Sequence, residues 1–346
     1  MSLLYNNALQ LLSSSQRTWL ITGVAGFIGS HLLGLLLKYN QFVIGIDNFS
    51  TGSRENLEEV LADNPRYKVN FLLKEGDIRD YEFCVDNFQN VDYVLHHAAL
   101  ASVPESLRDP REAHTNNIEG TMNILMAARQ VKVKKIIYAS SSAVYGENKH
   151  PCQQEHQKLR PISPYAVTKA ANELYVNCFS RSYDLPAIGF RYFNIFGPRQ
   201  YPQGAYGGVI ATWVHNLAQG KLCEIYGEGT STRDFCYVDN VAQANILGAL
   251  LPQRNMHYLF NIGSGKSCTL NELLYQLCSI YEIDPADNLK YCQARIGDIK
   301  YSSASIAKAV RILGYTPSVE LNEGLRNTVN WVQKRAKSTH TELLLS

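Results

Sequence analysis

Short apolar runs alternate with amphipathic segments along the chain from Thr18 onward. The runs are rich in β-branched and aromatic residues, and residues 30–39, between the first two runs, have the leucine spacing of a helix. Helices that alternate with such strands cover both faces of a parallel sheet. The sequence therefore predicts an α/β fold with a doubly wound parallel sheet. The predicted strands are residues 19–22, 42–46, 70–73, 93–96, 136–139 and 188–193.

The pattern changes after Asn194. Residues 197–208 contain closely spaced prolines and glycines, which predicts a long loop. Residues 238–251 are apolar enough to pack back on the first part of the chain. We therefore predict a first domain over residues 17–193 and 234–262. A smaller, mixed α/β second domain is predicted over 194–233 and 263–346, and residues 1–16 are predicted to form a polar, helical extension.

Composition and charge exclude several classes of partner. Thirty-three basic and 31 acidic residues give a net charge of +2, so we expect neither nucleic acid nor a membrane surface as partner. No apolar run approaches the roughly 18 to 20 residues that span a bilayer. The eight cysteines are at least ten residues apart, without zinc or compact disulfide spacing. Buried, reduced thiols and a cytoplasmic location are expected.

A glycine-rich turn over residues 22–29 follows the first predicted strand and opens a helix. Glycine lets the backbone approach a pyrophosphate, which the amides of a helix N-terminus then hold. Asp47 ends the second predicted strand, where a carboxylate can accept hydrogen bonds from an adenosine ribose and repel a 2′-phosphate. The alternative is a turn or capping aspartate, since Asn48 and Gly52 follow. The combination predicts NAD rather than NADP.

The next two predicted strands also end in polar or small residues. Asp77 could cap a helix or hydrogen-bond the adenine amino group. The small residues Ala98 and Ala99 would let backbone pass beside the cofactor. His96 and His97 have no suitably spaced carboxylate or thiolate, so we predict packing at the strand end and no metal.

A serine-rich strand end at residues 139–146 precedes a Tyr-x-x-x-Lys pair. Tyr165 and Lys169 share a face of a helix that Pro164 suits at its start. Lowering a tyrosine pKa from about 10 to ~7 costs about 4 kcal/mol. A lysine ammonium and a nicotinamide cation would favour the phenolate, while a serine hydroxyl bonds the reacting oxygen. Taken alone, the pair is explained equally well by an exposed helix face.

With these motifs in order, the chain resembles the extended short-chain dehydrogenase/reductases, and within them the nucleotide-sugar 4-epimerases. The resemblance covers residues 18–333. It rests on TGVAGFIG at 22–29, GDI at 76–78, NNIEGT at 116–121, SSSAVYG at 140–146, YAVTK at 165–169, RYFNIFGPR at 191–199, RDFCYVDN at 233–240 and RIGD at 295–298. It implies a Rossmann-like fold with bound NAD, a UDP-sugar substrate, and a homodimer in which helices at 117–130 and 165–181 pair.

The resemblance also assigns roles to individual residues. The catalytic residues implied are Ser141, Tyr165 and Lys169. The cofactor-binding residues implied are Gly23, Gly26, Phe27, Ile28, Gly29, Asp47, Asn48, Ser50, Thr51, Gly52, Asp77, Ile78, His97, Ala98, Ala99, Asn116, Tyr165, Lys169 and Phe193. The substrate-binding residues implied are Ser102, Ser141, Ser142, Tyr165, Asn194, Gln200, Val209, Tyr226, Arg233, Arg295, Asp298 and Ser302. The two arginines suit a diphosphate, with surface salt bridges as the alternative.

Two departures from related enzymes bear on the reaction and the substrate. Ser142 and Ala143 stand where the resembling dehydratases and decarboxylases carry carboxyl groups, which leaves oxidation at carbon 4, rotation of the ketone and return of the hydride. Ser302 replaces a tyrosine common in UDP-galactose epimerases, and Ala101 replaces a lysine. The small Ser302 leaves room for a 2-acetamido group, although a solvent-facing turn would also explain it, and residues 102–104 resemble those of the N-acetyl type.

We therefore predict an isomerase that interconverts UDP-N-acetylglucosamine and UDP-N-acetylgalactosamine, and also the non-acetylated pair. The alternatives are a UDP-hexuronic acid 4-epimerase and a non-catalytic NAD-binding scaffold.

Overall fold

The computed structural model describes residues 2–147, 150–202, 208–252, 257–293 and 301–345, with side chains as far as residue 336. Its strands are β1 (Thr18–Thr22), β2 (Phe42–Asp47), β3 (Phe71–Glu75), β4 (Tyr93–His96), β5 (Lys135–Ser141), β6 (Ala187–Tyr192), β7 (Ile195–Phe196), β8 (Cys223–Tyr226), β9 (Thr232–Arg233), β10 (Cys236–Tyr237), β11 (His257–Ile262), β12 (Cys268–Thr269), β13 (Leu289–Cys292) and β14 (Tyr301–Ser302). Its helices are α1 (Leu3–Ser14), α2 (Phe27–Lys38), α3 (Arg54–Ala62), α4 (Tyr81–Asn87), α5 (Val103–Arg108), α6 (Pro110–His114), α7 (Gly120–Val131), α8 (Pro164–Ser182), α9 (Val209–Ala218), α10 (Val238–Leu250), α11 (Leu270–Tyr281), α12 (Ala307–Leu313) and α13 (Leu321–Leu345).

The central sheet has seven parallel strands in the order β3-β2-β1-β4-β5-β6-β11. One face is covered by a core that includes α2, α3 and α10, and the other by a core that includes α4, α7 and α8. The predicted doubly wound α/β sheet is confirmed. The chain order reverses between β1 and β4, which opens a crevice at the carboxyl ends of these strands.

Beyond β6, smaller sheets surround a third core. β7 pairs with β10, β9 lies between β12 and β14, and β8 pairs with β13. Side chains of α9, α11 and α13 pack together there. Between these parts, α10 packs on α2, and β11 joins the edge of the central sheet beside β6. The exact division into two domains stays a prediction.

The first helix is part of the main core. α1 buries Tyr5, Ala8 and Leu12, which lie three and four residues apart on one face, and Leu12 is fully buried. The Ser2 side chain caps the helix at the Tyr5 amide and donates to the Gly314 carbonyl at the end of α12. The segment is helical, as expected, but it has an apolar buried face that the prediction of a polar extension missed.

The cysteines are mostly buried thiols. All eight cysteines are free, and five of them are buried, whereas Cys178 on α8 is exposed. Among the described residues, every helix is too short or too polar to cross a bilayer.

Candidate active site

The glycine turn after β1 packs directly against the loop that follows β4. Gly23 has a φ of +72°, and a Cβ there would lie 2.8 Å from the Ala98 amide nitrogen. A Cβ at Gly29 would lie 2.0 Å from the Gly23 carbonyl oxygen. Gly26 precedes α2 and provides no side-chain cap, so the first amides of that helix can bind an anion. Phe27, Ile28 and Gly29 form this first turn.

Asp47 holds the next strand end together. Its Oδ2 accepts a hydrogen bond from the Ala25 amide at 2.8 Å, and its Oδ1 accepts one from the Phe49 amide at 2.9 Å. Burial raises the pKa of the carboxyl, and the two backbone hydrogen bonds oppose that shift. The carboxylate therefore caps the turn, as the alternative interpretation proposed. Each oxygen keeps a second acceptor position, so it can also accept a ribose hydroxyl.

A polar pair lies beside Asp47 at the same sheet edge. The Asn48 side chain donates to Asp77 at 2.8 Å, and the Arg79 guanidinium is 2.8 Å from the same carboxylate oxygen. Burial raises the pKa of Asp77, but the hydrogen bonds from Arg79 and Asn48 outweigh it, so the pKa lies below its usual value. Ile78 is buried against α7, whereas Ser50 and Thr51 lie in an exposed loop. Gly52 lies under Asp47, since a Cβ there would be 2.9 Å from Oδ1.

The two histidines at the end of β4 are used inside the fold. His96 lies 2.7 Å from the Thr22 hydroxyl and 3.0 Å from the Thr121 hydroxyl, and His97 lies 3.1 Å from the Tyr192 hydroxyl. Burial lowers the pKa of each to about 3, so both are neutral at pH 7. These contacts agree with the predicted packing role. The described residues contain no group of three His, Cys, Asp or Glu side chains that could hold a metal ion.

The structure brings Ser141, Tyr165 and Lys169 together. Ser141 ends β5, and its side chain accepts from the Ala143 amide at 3.1 Å. The Ser163 side chain caps α8, which places Tyr165 in the first turn of that helix, hydrogen-bonded to the Ser141 side chain. The Lys169 ammonium lies 5.9 Å from the Tyr165 ring centroid and donates to the Ala139 carbonyl at 2.9 Å.

The electrostatics of this group differ from the expectation. Burial raises the pKa of Tyr165, and the hydrogen bond from Ser141 only partly opposes that shift. Burial also lowers the pKa of Lys169 to about 8. The lysine is still largely charged at pH 7, so its support of the phenolate stays a prediction, but in the chain alone the pKa of Tyr165 lies above its usual value. The chain alone keeps the phenol protonated at pH 7, and a further positive charge is needed at the site.

An asparagine that the sequence analysis passed over links the two halves of the site. Asn117 is buried, and its side chain exchanges hydrogen bonds with both backbone groups of Leu100, at 2.8 and 3.0 Å, and donates to the Thr168 hydroxyl at 2.9 Å. It thereby ties the loop after β4 to α8. The assigned neighbour, Asn116, instead donates to Glu112 at 2.6 Å. Both residues lie in a π-helical turn over Thr115–Glu119, a feature frequent at functional sites.

Three predicted substrate residues meet around the short β9–β14 ladder. β14 pairs with β9 so that Ser302 lies opposite Arg233, and the Asp234 amide donates to the Ser302 carbonyl at 2.7 Å. The Asn194 side chain donates to the Asp234 carbonyl at 2.9 Å. Phe193 is fully buried beside this group. Arg295 and Asp298 lie outside the described residues.

The remaining five predicted substrate residues lie on five separate segments. Ser102 is buried and caps α5, and Val209 begins α9. The Gln200 side chain donates to the Ile195 carbonyl at 3.2 Å, and the Tyr226 hydroxyl at the end of β8 donates to Glu224 at 2.9 Å. Ser142 lies in the 3₁₀ turn after β5. Their contacts with a substrate stay predictions.

The sequence and the fold of the chain match those of known proteins. Residues 19–263 match the NAD dependent epimerase/dehydratase family. The chain is similar to the UDP-N-acetylglucosamine 4-epimerase of Methanobrevibacter ruminantium in complex with UDP-N-acetylmuramic acid, with 38% identity, a TM-score of 0.86, and 93% and 99% of the two chains covered. It is also similar to the UDP-glucose 4-epimerase of Thermotoga maritima with UDP-glucose, at 37% identity, a TM-score of 0.85 and coverage of 92% and 99%. The UDP-glucuronic acid 4-epimerase of Bacillus cereus with UDP-glucuronic acid and NAD has 30% identity, a TM-score of 0.82 and coverage of 92% and 99%.

The neutral, buried His96 predicts acid sensitivity. Its pKa is about 3 in the folded chain and ~6.5 in an unfolded one, so the unfolded chain binds the extra proton first. Stability is therefore complete above pH ~6.5 and falls below it, by about 1.4 kcal/mol per pH unit for this residue. In urea unfolding at pH 7, 6 and 5, His96→Asn should show a shallower loss than wild type. His114→Asn, at an exposed position on α6, should match wild type, and an unchanged slope in His96→Asn would contradict the assignment.

Proposed function

The chain belongs to the NAD dependent epimerase/dehydratase family, and from that premise we propose that it interconverts UDP-N-acetylglucosamine and UDP-N-acetylgalactosamine. It is an NAD-dependent UDP-sugar 4-epimerase, and thus an isomerase. The finer proposal also includes the non-acetylated pair, UDP-glucose and UDP-galactose. The observation that carries it is the group of Ser141, Tyr165 and Lys169 at the carboxyl end of β5, together with the pairing of Arg233 with Ser302.

The residues at the sheet edge fit NAD. The close approach of the glycine turn to Ala98 leaves the α2 N-terminus open for a pyrophosphate, and Asp47 has free acceptor positions for a ribose. In this proposal Asn48, Asp77 and the loop at 97–99 border the adenosine and the nicotinamide. When bound, NAD supplies a hydride acceptor and donor for carbon 4 of the sugar.

Acid–base chemistry falls to Tyr165. Its phenolate accepts the proton of the sugar 4-hydroxyl and later returns it, while the Ser141 hydroxyl bonds the same sugar oxygen. Lys169, with a pKa of about 8, is largely charged at pH 7 and contributes positive potential near the phenol. The same proton is removed and restored, so the reaction has no net change in protonation or redox state.

The strand end favours epimerisation over elimination. A dehydratase must move a further proton, which requires an acid or base near the sugar. Here Ser141 is followed by Ser142 and Ala143 in the 3₁₀ turn, and neither side chain titrates near pH 7. The site is therefore suited to reversible oxidation at carbon 4 alone.

The proposed substrate preference rests on Ser302. Ser302 is small and lies opposite Arg233, the proposed diphosphate ligand, which leaves room for a 2-acetamido group. A UDP-hexuronic acid would require a cation for its carboxylate.

We also propose a homodimer in a reducing cytoplasm. α8 exposes Val167, Leu174 and Cys178 on one face, and Leu174 is 70% exposed. On α7, which packs in the same layer, Met122 is half-buried and Met126 is 39% exposed. Such an apolar face across two helices suits self-association by a four-helix interface. The eight free cysteines support the reducing location.

The central test is activity without added cofactor. The purified wild type should release NAD on denaturation and interconvert the paired UDP-sugars. Tyr165→Phe should keep its NAD and lose the ~10² to 10⁴-fold in kcat expected of a general acid–base. Near-normal turnover by that variant would remove Tyr165 from the mechanism. Strict dependence on added NADPH would overturn the cofactor assignment.

The substrate proposal is tested at Ser302. Ser302→Tyr adds a ring where the acetamido group should lie, and overpacking costs about 1 to 3 kcal/mol, or about one to two decades in rate. We expect kcat/KM to fall that much for UDP-N-acetylglucosamine and to be spared for UDP-glucose. Ser302→Ala is the control and should retain both activities. An equal fall for both sugars in the tyrosine variant would reject the proposal.

The dimer is tested at Leu174. Leu174→Glu would place an unpaired carboxylate in the interface, which costs several kcal/mol and should weaken association by about 10²-fold or more. Light scattering after size-exclusion chromatography should then report a monomer. Tyr275→Glu changes a residue of similar exposure, 62%, on α11 and should stay dimeric. A dimer in both variants would locate the interface elsewhere.

A further inference from the structure

A buried ion pair lies directly behind the Ser141 strand end. The Arg191 guanidinium on β6 donates from Nε to Glu173 Oε1 at 2.8 Å and from Nη2 to Oε2 at 2.7 Å. Both side chains are nearly inaccessible, with 3% and 4% exposed. The Ser140 hydroxyl, on β5, donates to the same carboxylate at 2.6 Å. Three elements thus meet at one fork-shaped contact.

The contact continues toward the sugar side of the crevice. Arg191 Nη1 donates to the Tyr145 hydroxyl at 2.9 Å, and that hydroxyl donates to Asn261 at 2.6 Å. The Asn261 side chain donates to the backbone carbonyls of Gln153 at 2.9 Å and Ser305 at 3.3 Å. The network therefore reaches the segment that follows β14 and Ser302.

The Ser140–Glu173 end of this network adjoins the proposed site. Ser140 precedes Ser141 on the strand. Glu173 lies one turn beyond Lys169 and two turns beyond Tyr165, on the same face of α8. The bidentate geometry of an arginine–carboxylate pair fixes both distance and orientation. A shift of α8 along β5 would break it.

Stability alone does not account for this pair. Replacing a buried ion pair by apolar residues of similar volume is often neutral or stabilising, while removing one partner is strongly destabilising. An apolar pair would therefore fill this space with at least as much stability as the Glu173–Arg191 contact provides. What it adds is a defined register between the catalytic helix and the strand end.

We propose that Glu173 and Arg191 are positioning residues that set Tyr165 and Lys169 relative to Ser141. The inference rests on the proposed roles of those three residues. It goes further in assigning the alignment of the site to a charged contact that touches neither cofactor nor sugar.

The first test replaces the ion pair by two apolar residues of similar volume. This change separates an effect on folding from an effect on the alignment of the site. Glu173→Leu combined with Arg191→Met removes both charges, and we expect it to keep its NAD and a melting temperature near wild type. Its kcat should fall by about 10²-fold, the typical effect of a misplacement near 1 Å, with KM changed less than about threefold. The acid limb of its kcat–pH profile should move to higher pH. Unchanged kcat and pH profile in a folded double variant would overturn the proposal.

Two further variants test the proposal independently of the double variant. Ser140→Ala preserves the ion pair and removes only its link to β5, so it should fold normally and lower kcat by about tenfold. If the double variant does not fold, wild-type kcat in Ser140→Ala overturns the proposal. Lys135→Met is the control, because Lys135 is another buried cation on β5, at the end remote from Ser141, where it donates to α10 carbonyls. Lys135→Met should lower the melting temperature and leave kcat unchanged. If its kcat falls as much as that of Ser140→Ala, loss of stability alone explains both and the positioning role is rejected.

A substrate-free measurement distinguishes this proposal from the proposed function. Phenolate absorbance of the NAD-loaded protein, minus that of Tyr165→Phe, reports the Tyr165 pKa without a sugar. We expect a higher pKa in Ser140→Ala and in the double variant than in wild type. Equal values would refute the positioning role even if the enzyme is an epimerase. A raised value would support that role even if the true sugar is a different one.

Discussion

The contact between the glycine turn and the loop after β4 is the constraint on which the site depends. A Cβ at Gly23 would lie 2.8 Å from the Ala98 amide nitrogen, so the turn after β1 and the loop after β4 pack backbone against backbone where the strand order reverses. The α2 N-terminus, the Asp47 carboxylate and the end of β5 are consequently gathered on one edge of the sheet. A parallel sheet provides such an edge, and the glycines determine how near the backbone comes to a bound dinucleotide.

Burial of the acid–base group has a consequence for its chemistry. Burial shifts the pKa of Tyr165 upward and the pKa of Lys169 downward, so each shift reduces the charge that the proposed reaction needs. In the folded chain the lysine donates to a strand carbonyl rather than to the phenol. An active phenolate therefore depends on positive charge beyond that of Lys169. Coupling the base to an occupied cofactor site would limit unproductive proton transfer in the empty enzyme.

The sequence was informative where local pattern determines position. Periodicity predicts the strand ends and the glycine turn that follows the first of them. The four-residue spacing of Tyr165 and Lys169 predicts that they share a helix face one turn apart. Contacts between elements that are distant in the chain could not be predicted from local sequence patterns. The Glu173–Arg191 pair and the hold of Asn117 on Leu100 join residues that only the three-dimensional packing brings together. The burial of α1 was missed for a related reason, since three apolar positions among polar neighbours indicate a buried face only when a partner surface is known.

In the proposed function, the pairing of β14 with β9 would let the side chain at 302 govern the choice of sugar. Ser302 lies opposite Arg233 in the same ladder, and the Asp234 amide binds the Ser302 carbonyl, so the backbone at 302 cannot move independently of the arginine. In the proposed assignment, Arg233 anchors the diphosphate, and the sugar ring therefore meets residue 302 at a set distance from that anchor. The space left for the sugar then depends on the size of the side chain at 302, because the distance of that side chain from Arg233 is fixed. A flexible loop carrying the same serine would adapt to either sugar and could not discriminate between them.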